Sequence, residues 1–353
     1  MAAKGPAGKP EKPSYMGEHG AGSIIAKSGN WKGIPMLEDN MGRFPPYMIA
    51  VGDRRRASDP SQSTTTAAQF LSFWVDVPAA AFRNCGNMGR TNILVGTFEH
   101  DGKQLPVGVF ETQMGMSGEE INLEEAMCLA DHTGYNIGKG GRERLPADGL
   151  TIVRVGSCGG LNSGWGKDAK PPVLKIGDLI IADSTFGHSG AIYQRLGGLD
   201  YVDPEVLALA RSEWKSLGLG MLGNFLYGDC SPDVVSALMA AAGHYGQTAY
   251  AGRNFSKDSL YGEHTGLDDF VDLAVRYGAK STEMEQLWIA FISRLFLVDY
   301  GIPVRQGLAS AVVGALPEQS FYANEEEKRQ AENAESMAMK VALLAMWKLH
   351  YGI

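Results

Sequence analysis

Disulfide chemistry is the first thing this sequence cannot support. Its four cysteines, Cys85, Cys128, Cys158 and Cys230, are scattered through 353 residues with no CxxC pair and no compact ladder. Neither a disulfide scaffold nor a zinc cluster is therefore expected, and a reduced, cytoplasmic setting is the default. The seven histidines form no HExxH or similar pair that would set two ligands on one helix face, so no metal is assigned. No apolar run approaches the ~18 residues of a membrane helix, and the N-terminus lacks an apolar signal core, which excludes a membrane partner. Cations are the minority, 32 Lys and Arg against 40 Asp and Glu for a net charge of −8, which argues against a nucleic-acid partner. No GxGxxG follows a strand, so no dinucleotide cofactor is expected.

What the sequence has in excess is glycine, 45 of 353 residues, nearly twice the usual level of roughly 7%. Without a triplet period, such glycine points to tight loops near ligands. Residues 1–40 are rich in glycine, with proline and lysine concentrated before Tyr15, and are expected to be a disordered or draping extension. Residues 41–353 read as one α/β domain in which strands and helices alternate, with helices on both sides of a central sheet. Expected strands are Tyr47–Val51, Phe70–Val77, Asn92–Phe98, Pro106–Glu111, Leu150–Val155, Leu179–Ala182, Thr248–Ala251 and Val304–Leu308. The expected helices are Glu119–His132, Pro204–Leu217, Pro232–Ala242, Glu283–Leu297 and Asn324–His350. His100-Asp101-Gly102 is a hairpin signal, and Gly138–Pro146 reads as a surface loop.

Four stretches could carry chemistry. Arg154-Val155-Gly156-Ser157-Cys158-Gly159-Gly160 takes a buried strand into what reads as a glycine turn, a place where backbone amides can nest an anion. An ordinary turn with a salt-bridged arginine is the plainer reading of that stretch. Gly52-Asp53-Arg54-Arg55-Arg56 follows another strand and can grip a phosphate, or be a solvated charge cluster. Arg90 has the same ambiguity. Thr282-Glu283-Met284-Glu285 can cap a helix, or place a carboxylate against the vicinal hydroxyls of a sugar. Cys158 has no recognisable nucleophile motif around it and reads as packing or pocket lining.

The order of these pieces resembles the nucleoside phosphorylase-I family, and within it the uridine phosphorylases. The resemblance is carried by Gly52-Asp53-x-x-Arg56, Arg90, Asp101-Gly102-Lys103, Thr112-x-x-Gly115 before Glu124-Glu125, and Arg154-x-Gly156-Ser157-x-Gly159-Gly160. Ile176-Gly177-Asp178-Leu179, Asp258-Ser259-Leu260-Tyr261 and Glu283-Met284-Glu285 complete it. It implies a three-layer α/β/α fold with a mixed, partly barrel-like sheet, and reversible phosphorolysis of uridine to uracil and ribose 1-phosphate. By the same resemblance, Gly52, Arg56, Arg90, Arg154 and Ser157 bind phosphate, and Glu283, Met284 and Glu285 bind ribose. Cys158, Gly159 and Leu260 then lie at the base, while Arg154 and Glu285 are the catalytic pair. Arg90 would cross a dimer interface, so a homodimer is the minimal unit, with an interface cation allowed; inorganic phosphate is a co-substrate and no cofactor is implied.

The family pattern is also broken in places. The uracil-reading Gln-x-Arg is absent, Tyr261 being followed by Gly262-Glu263-His264, and Gln247, Arg253, Arg305 or Gln306 are the possible substitutes. No histidine stands in Gly33–Leu37. No acid stands in Gly307–Leu316, where purine-specific members carry one, which favours a pyrimidine. The alternatives are a purine nucleoside phosphorylase, a hydrolytic nucleosidase of the same family, and a homologue that binds a nucleoside without catalysis.

Overall fold

Tyr47–Val51 (β1) is apolar at every position because both of its faces are covered. Tyr47, Ile49 and Val51 pack in the cluster that holds Val341 and Leu344, whereas Met48 and Ala50 pack in the one that holds Trp288 and Phe291. The alternation of a strand thus sorts one short segment between two helical layers. The computed structural model describes residues 46–53, 56, 67, 70–73, 93–120, 122–123, 149–163, 173–197, 204–260, 267–300, 303–316 and 321–353. The extension expected at 1–40, Arg90, the loop Gly138–Pro146, Gly33–Leu37 and Gly262–His264 lie outside the described residues.

After β1 come β2 (Ser72–Phe73), β3 (Ile93–His100), β4 (Lys103–Glu111), β5 (Leu150–Leu161) and β6 (Leu179–Gly187). Helices α1 (Gly190–Gly197) and α2 (Pro204–Ser216) follow, then β7 (Gly220–Leu222), β8 (Phe225–Asp229), α3 (Pro232–His244) and β9 (Ala249–Ser256). The chain ends with α4 (Leu267–Arg276), β10 (Ala279–Glu283), α5 (Gln286–Leu295), β11 (Val304–Leu316) and α6 (Glu325–Tyr351). The β3–β4 hairpin turns at Asp101 and Gly102 with positive φ at both, as the sequence predicts. Helix α6 is capped by the Asn324 side chain, which accepts from the Glu327 amide at 2.9 Å, and ends at the left-handed Gly352.

One sheet contains all these strands. Within it β5 pairs β10, β10 pairs β9, β9 pairs β6, β6 pairs β11 and β11 returns to β5, closing a five-stranded ring. The outer strands β4 and β1 run parallel to β5. The expected α/β/α architecture with a mixed, partly barrel-like sheet is therefore what the chain adopts.

Several boundaries depart from the sequence reading. Strand β5 does not end at Val155 in a glycine turn; it continues to Leu161, so Gly156, Gly159 and Gly160 are strand residues whose backbone is in the ladder. At Gly159 and Gly160 the smallness answers to packing. A Cβ on Gly160 would stand 2.9 Å from Val312 Cγ1, and one on Gly159 would stand 3.0 Å from Leu316. Strand β11 likewise runs on from Leu308 to Leu316. Thr282 and Glu283 end a strand instead of opening a helix, and α5 starts at Gln286 with Glu285 at its N-cap. The helix expected from Glu119 begins earlier, at residue 116, and is described as far as 123.

Candidate active site

Residue parity explains how the site is built. Along β5, Leu150 and Ile152 face the core layer that contains Trp288 and Phe291 of α5, and Arg154 shares their side of the strand. Its guanidinium consequently meets the start of α5, where Arg154 Nη2 lies 2.9 Å from Glu285 Oε2. Both side chains are buried, at 6% and 5% exposure. Arg154 Nη1 also donates to the Val155 carbonyl at 3.1 Å, while its Nε has no partner. Glu285 is held from the other side by the Gly115 amide, which donates to Oε1 at 2.8 Å. Gly52, just after β1, lets this guanidinium in: a Cβ there would stand 2.9 Å from Arg154 Nη2 and 3.3 Å from the Gln113 carbonyl. Close approach, not a left-handed turn, requires glycine at this position.

Three carboxyls share this low-dielectric region and behave differently. Burial opposes charge on Glu285, but the adjacent Arg154 and its hydrogen bonds overcome that and hold the carboxyl below its ordinary range. Glu283 is pushed up to about 7 by burial and by repulsion from Glu285. Its oxygens are engaged by the protein. Oε1 accepts from Asn254 at 2.6 Å and from Ser256 at 2.5 Å, and Oε2 accepts the amides of Glu285 and Gln286 at 2.9 and 3.0 Å. Glu283 therefore anchors the first amides of α5 and fixes where Glu285 sits. Glu119, fully buried, is raised to about 8, mainly by desolvation, against the opposing pull of Arg154. The Thr112 hydroxyl beside Glu119 donates to the Val51 and Gln113 carbonyls, so neither carboxyl oxygen accepts a well-aligned hydrogen bond.

Arg154, Glu283 and Glu285, but not Glu119, line one cavity of about 860 Å³, walled by the ends of β1, β4, β9 and β10 and by residues of β5 and β11. Gly52, Arg56, Arg154, Ser157, Cys158, Gly159, Leu260, Glu283, Met284 and Glu285 are all on its wall. Of the residues to which the resemblance gives a binding or catalytic role, Arg90 lies outside the described residues and the others are all on this wall. Arg56 is ion-paired to Glu335 of α6. Cys158 packs with Leu174, Ile180 and Val312, and burial drives its thiol upward, which disfavours the thiolate a nucleophile would need.

Gln247, Arg253, Arg305 and Gln306, considered as base readers, are engaged elsewhere and do not line the cavity. Gln247 bonds the Gly177 carbonyl, Arg253 the Tyr277 carbonyl, Arg305 the side chains of Thr151 and Asp233, and Gln306 the Asp229 carbonyl. Sequence reasoning missed Gln113, Lys257, Val313 and Phe321, which do line it. Lys257 immediately precedes the Asp258-Ser259-Leu260-Tyr261 motif, but nothing local marks it as a cavity residue. Among the described residues no group of His, Cys, Asp and Glu is arranged to hold a metal ion, and no helix is long and apolar enough to cross a membrane.

Residues 68–345 match the family model described as the phosphorylase superfamily. No curated protein matches the sequence. Among solved structures, the chain is similar to a purine nucleoside phosphorylase from Toxoplasma gondii in complex with immucillin-H. That likeness has a TM-score of 0.53 at 17% identity, over 90% of this chain and 94% of that one. At this identity the likeness concerns the fold.

Proposed function

From the premise that the chain belongs to the phosphorylase superfamily, which the match over residues 68–345 shows, we propose that it is a nucleoside phosphorylase that splits a ribonucleoside with inorganic phosphate. The observation that carries this reading is the buried Arg154–Glu285 pair at 2.9 Å, set beside Gly52 in a single cavity. Gly52, Arg56, Arg154 and Ser157 would hold phosphate, and Met284 and Glu285 the ribose, with the base near Leu260, Cys158 and Gly159. A homodimer in which Arg90 crosses to the neighbouring phosphate belongs to the same proposal.

The chemistry follows from the charges. Cleavage of the glycosidic bond passes through a sugar with oxocarbenium character, to which phosphate oxygen adds. Arg154 and Arg56 hold the phosphate in line with C1′, so the reaction of two solutes becomes an encounter already arranged. Glu285, kept ionised by Arg154 and the Gly115 amide, accepts hydrogen bonds from the ribose hydroxyls and stabilises the positive sugar. Glu283 serves this indirectly, by fixing the backbone that carries Met284 and Glu285.

Uridine is the substrate favoured by β11, whose cavity-lining residues Val313 and Leu316 include no acid to protonate a purine. A purine nucleoside is the second reading, and the size of the cavity favours it: about 860 Å³ is near the top of the ~300–1,000 Å³ typical of small-molecule sites and admits a bicyclic base. The test is base release from uridine and inosine in phosphate and in phosphate-free buffer. Turnover that rises with phosphate supports the reading, and equal turnover without phosphate refutes it in favour of hydrolysis.

A further inference from the structure

The order of strands around the ring gives the cavity a direction. Strand β10 lies between β5 and β9, so the Glu283–Glu285 segment at its end is flanked by Arg154 of β5 on one side and by the end of β9 on the other. If phosphate sits with Arg154 and ribose with Glu285, the base points toward the end of β9. Lys257 stands there. It is the first residue after β9, its amide donates to the Glu283 carbonyl at 2.9 Å, and it lines the cavity together with Leu260. The same cavity is lined by the apolar side chains Val313 and Leu316 of β11 and Phe321, while the charge of Glu283 lies near Lys257.

Resting on the phosphorolysis reading, we propose that Lys257 is a catalytic and specificity-determining residue, whose ammonium group donates to a carbonyl oxygen of the base and protonates it as it departs. An ammonium is a donor only, so it favours a base with an oxo group over one with an amino group at the matching position. Burial lowers Lys257 to about 8, partly offset by the Glu283 charge, which suits a group that must both hold and release a proton near neutral pH.

The step balances. The C1′–N bond breaks with its electron pair going to the base, and a phosphate oxygen bonds to C1′. The base anion, its charge spread onto the carbonyl oxygen, takes the proton from Lys257. The sugar phosphate monoanion formed gives up its own proton, directly or through solvent, and the lysine is recharged. No oxidant, metal or cofactor enters.

The experiment separates leaving groups. Turnover of uridine, cytidine, inosine, adenosine and 4-nitrophenyl riboside by the unmodified protein is compared with Lys257→Ala, Lys257→Gln and Lys257→Arg. The 4-nitrophenolate leaves as a stable anion and needs no proton. Lys257→Ala is expected to lose about 100-fold in kcat/KM on the preferred oxo-base nucleoside, to keep most of its turnover of the nitrophenyl riboside, and to lose the oxo-over-amino preference. Lys257→Arg should recover part of the loss, and Lys257→Gln covers the case in which alanine disturbs the segment. Equal losses on all substrates, or no loss on any, overturn the role of Lys257 while leaving phosphorolysis intact. Absence of phosphate-dependent turnover in the unmodified protein overturns the phosphorolysis reading itself, and the role of Lys257 with it.

Discussion

Arg154 and Glu285 come from different elements, 131 positions apart, and hold each other at 2.9 Å with scarcely any solvent contact. A buried ion pair is not in itself a source of stability, because desolvation of both charges offsets their attraction. Its value here is positional. It fixes a cation and a carboxylate side by side on the wall of one cavity.

Arg154→Ala should therefore cost more than phosphate binding. It leaves Glu285 buried without its cation, a change that typically destabilises by about 3–5 kcal/mol. With that charge gone, phosphate-dependent turnover should fall by at least ~100-fold. Urea unfolding together with phosphate titration checks both effects. An unchanged KM for phosphate would remove Arg154 from the phosphate site.

Gly52→Ala tests the close approach. The added Cβ, 2.9 Å from Arg154 Nη2 and 3.3 Å from the Gln113 carbonyl, can displace the guanidinium more easily than the backbone. A roughly 10- to 100-fold loss in kcat/KM for phosphate is expected, with nucleoside KM little changed. A variant with ordinary phosphate kinetics would show that the contact is without consequence.

Glu119 predicts a pH dependence of stability. Its carboxyl titrates near 4.5 when unfolded and at about 8 in the folded protein. Between those values the unfolded chain has released a proton that the native chain keeps, so this contribution is full below about 4.5 and declines as pH rises toward 8. The slope is up to about 1.4 kcal/mol per pH unit. Glu119→Gln removes it, so the stabilities of the two proteins should diverge across that window. Parallel curves from urea unfolding at several pH values would show that Glu119 is ionised throughout.

Cys158→Ala should retain turnover within an order of magnitude, because the thiol is a buried wall group whose ionisation is suppressed. Complete loss of activity in a folded variant would reopen covalent catalysis.

Part of the candidate site was legible because it depends on residue type. Gly52 follows an apolar strand, Arg154 interrupts one and Glu285 precedes an apolar helix, and the hairpin at Asp101-Gly102 and the cap at Asn324 are local signals. The rest depends on packing between distant segments. The glycines of β5 look like a turn until β10 and β11 are laid beside them. Glu283 and Glu285 look equivalent in sequence, yet the hydrogen bonds of Asn254 and Ser256 make one a support and leave the other facing the cavity. Nothing local marks Glu119 as buried, and Lys257 acquires meaning only once β9 is seen beside β10.

The identity of the sugar product tests the central claim most directly. Uridine and inosine are incubated with the protein and inorganic phosphate, and the mixture is followed by phosphorus NMR. The account predicts ribose 1-phosphate in equal amount to the released base. Free ribose with no new phosphorus signal would contradict it and make water the nucleophile.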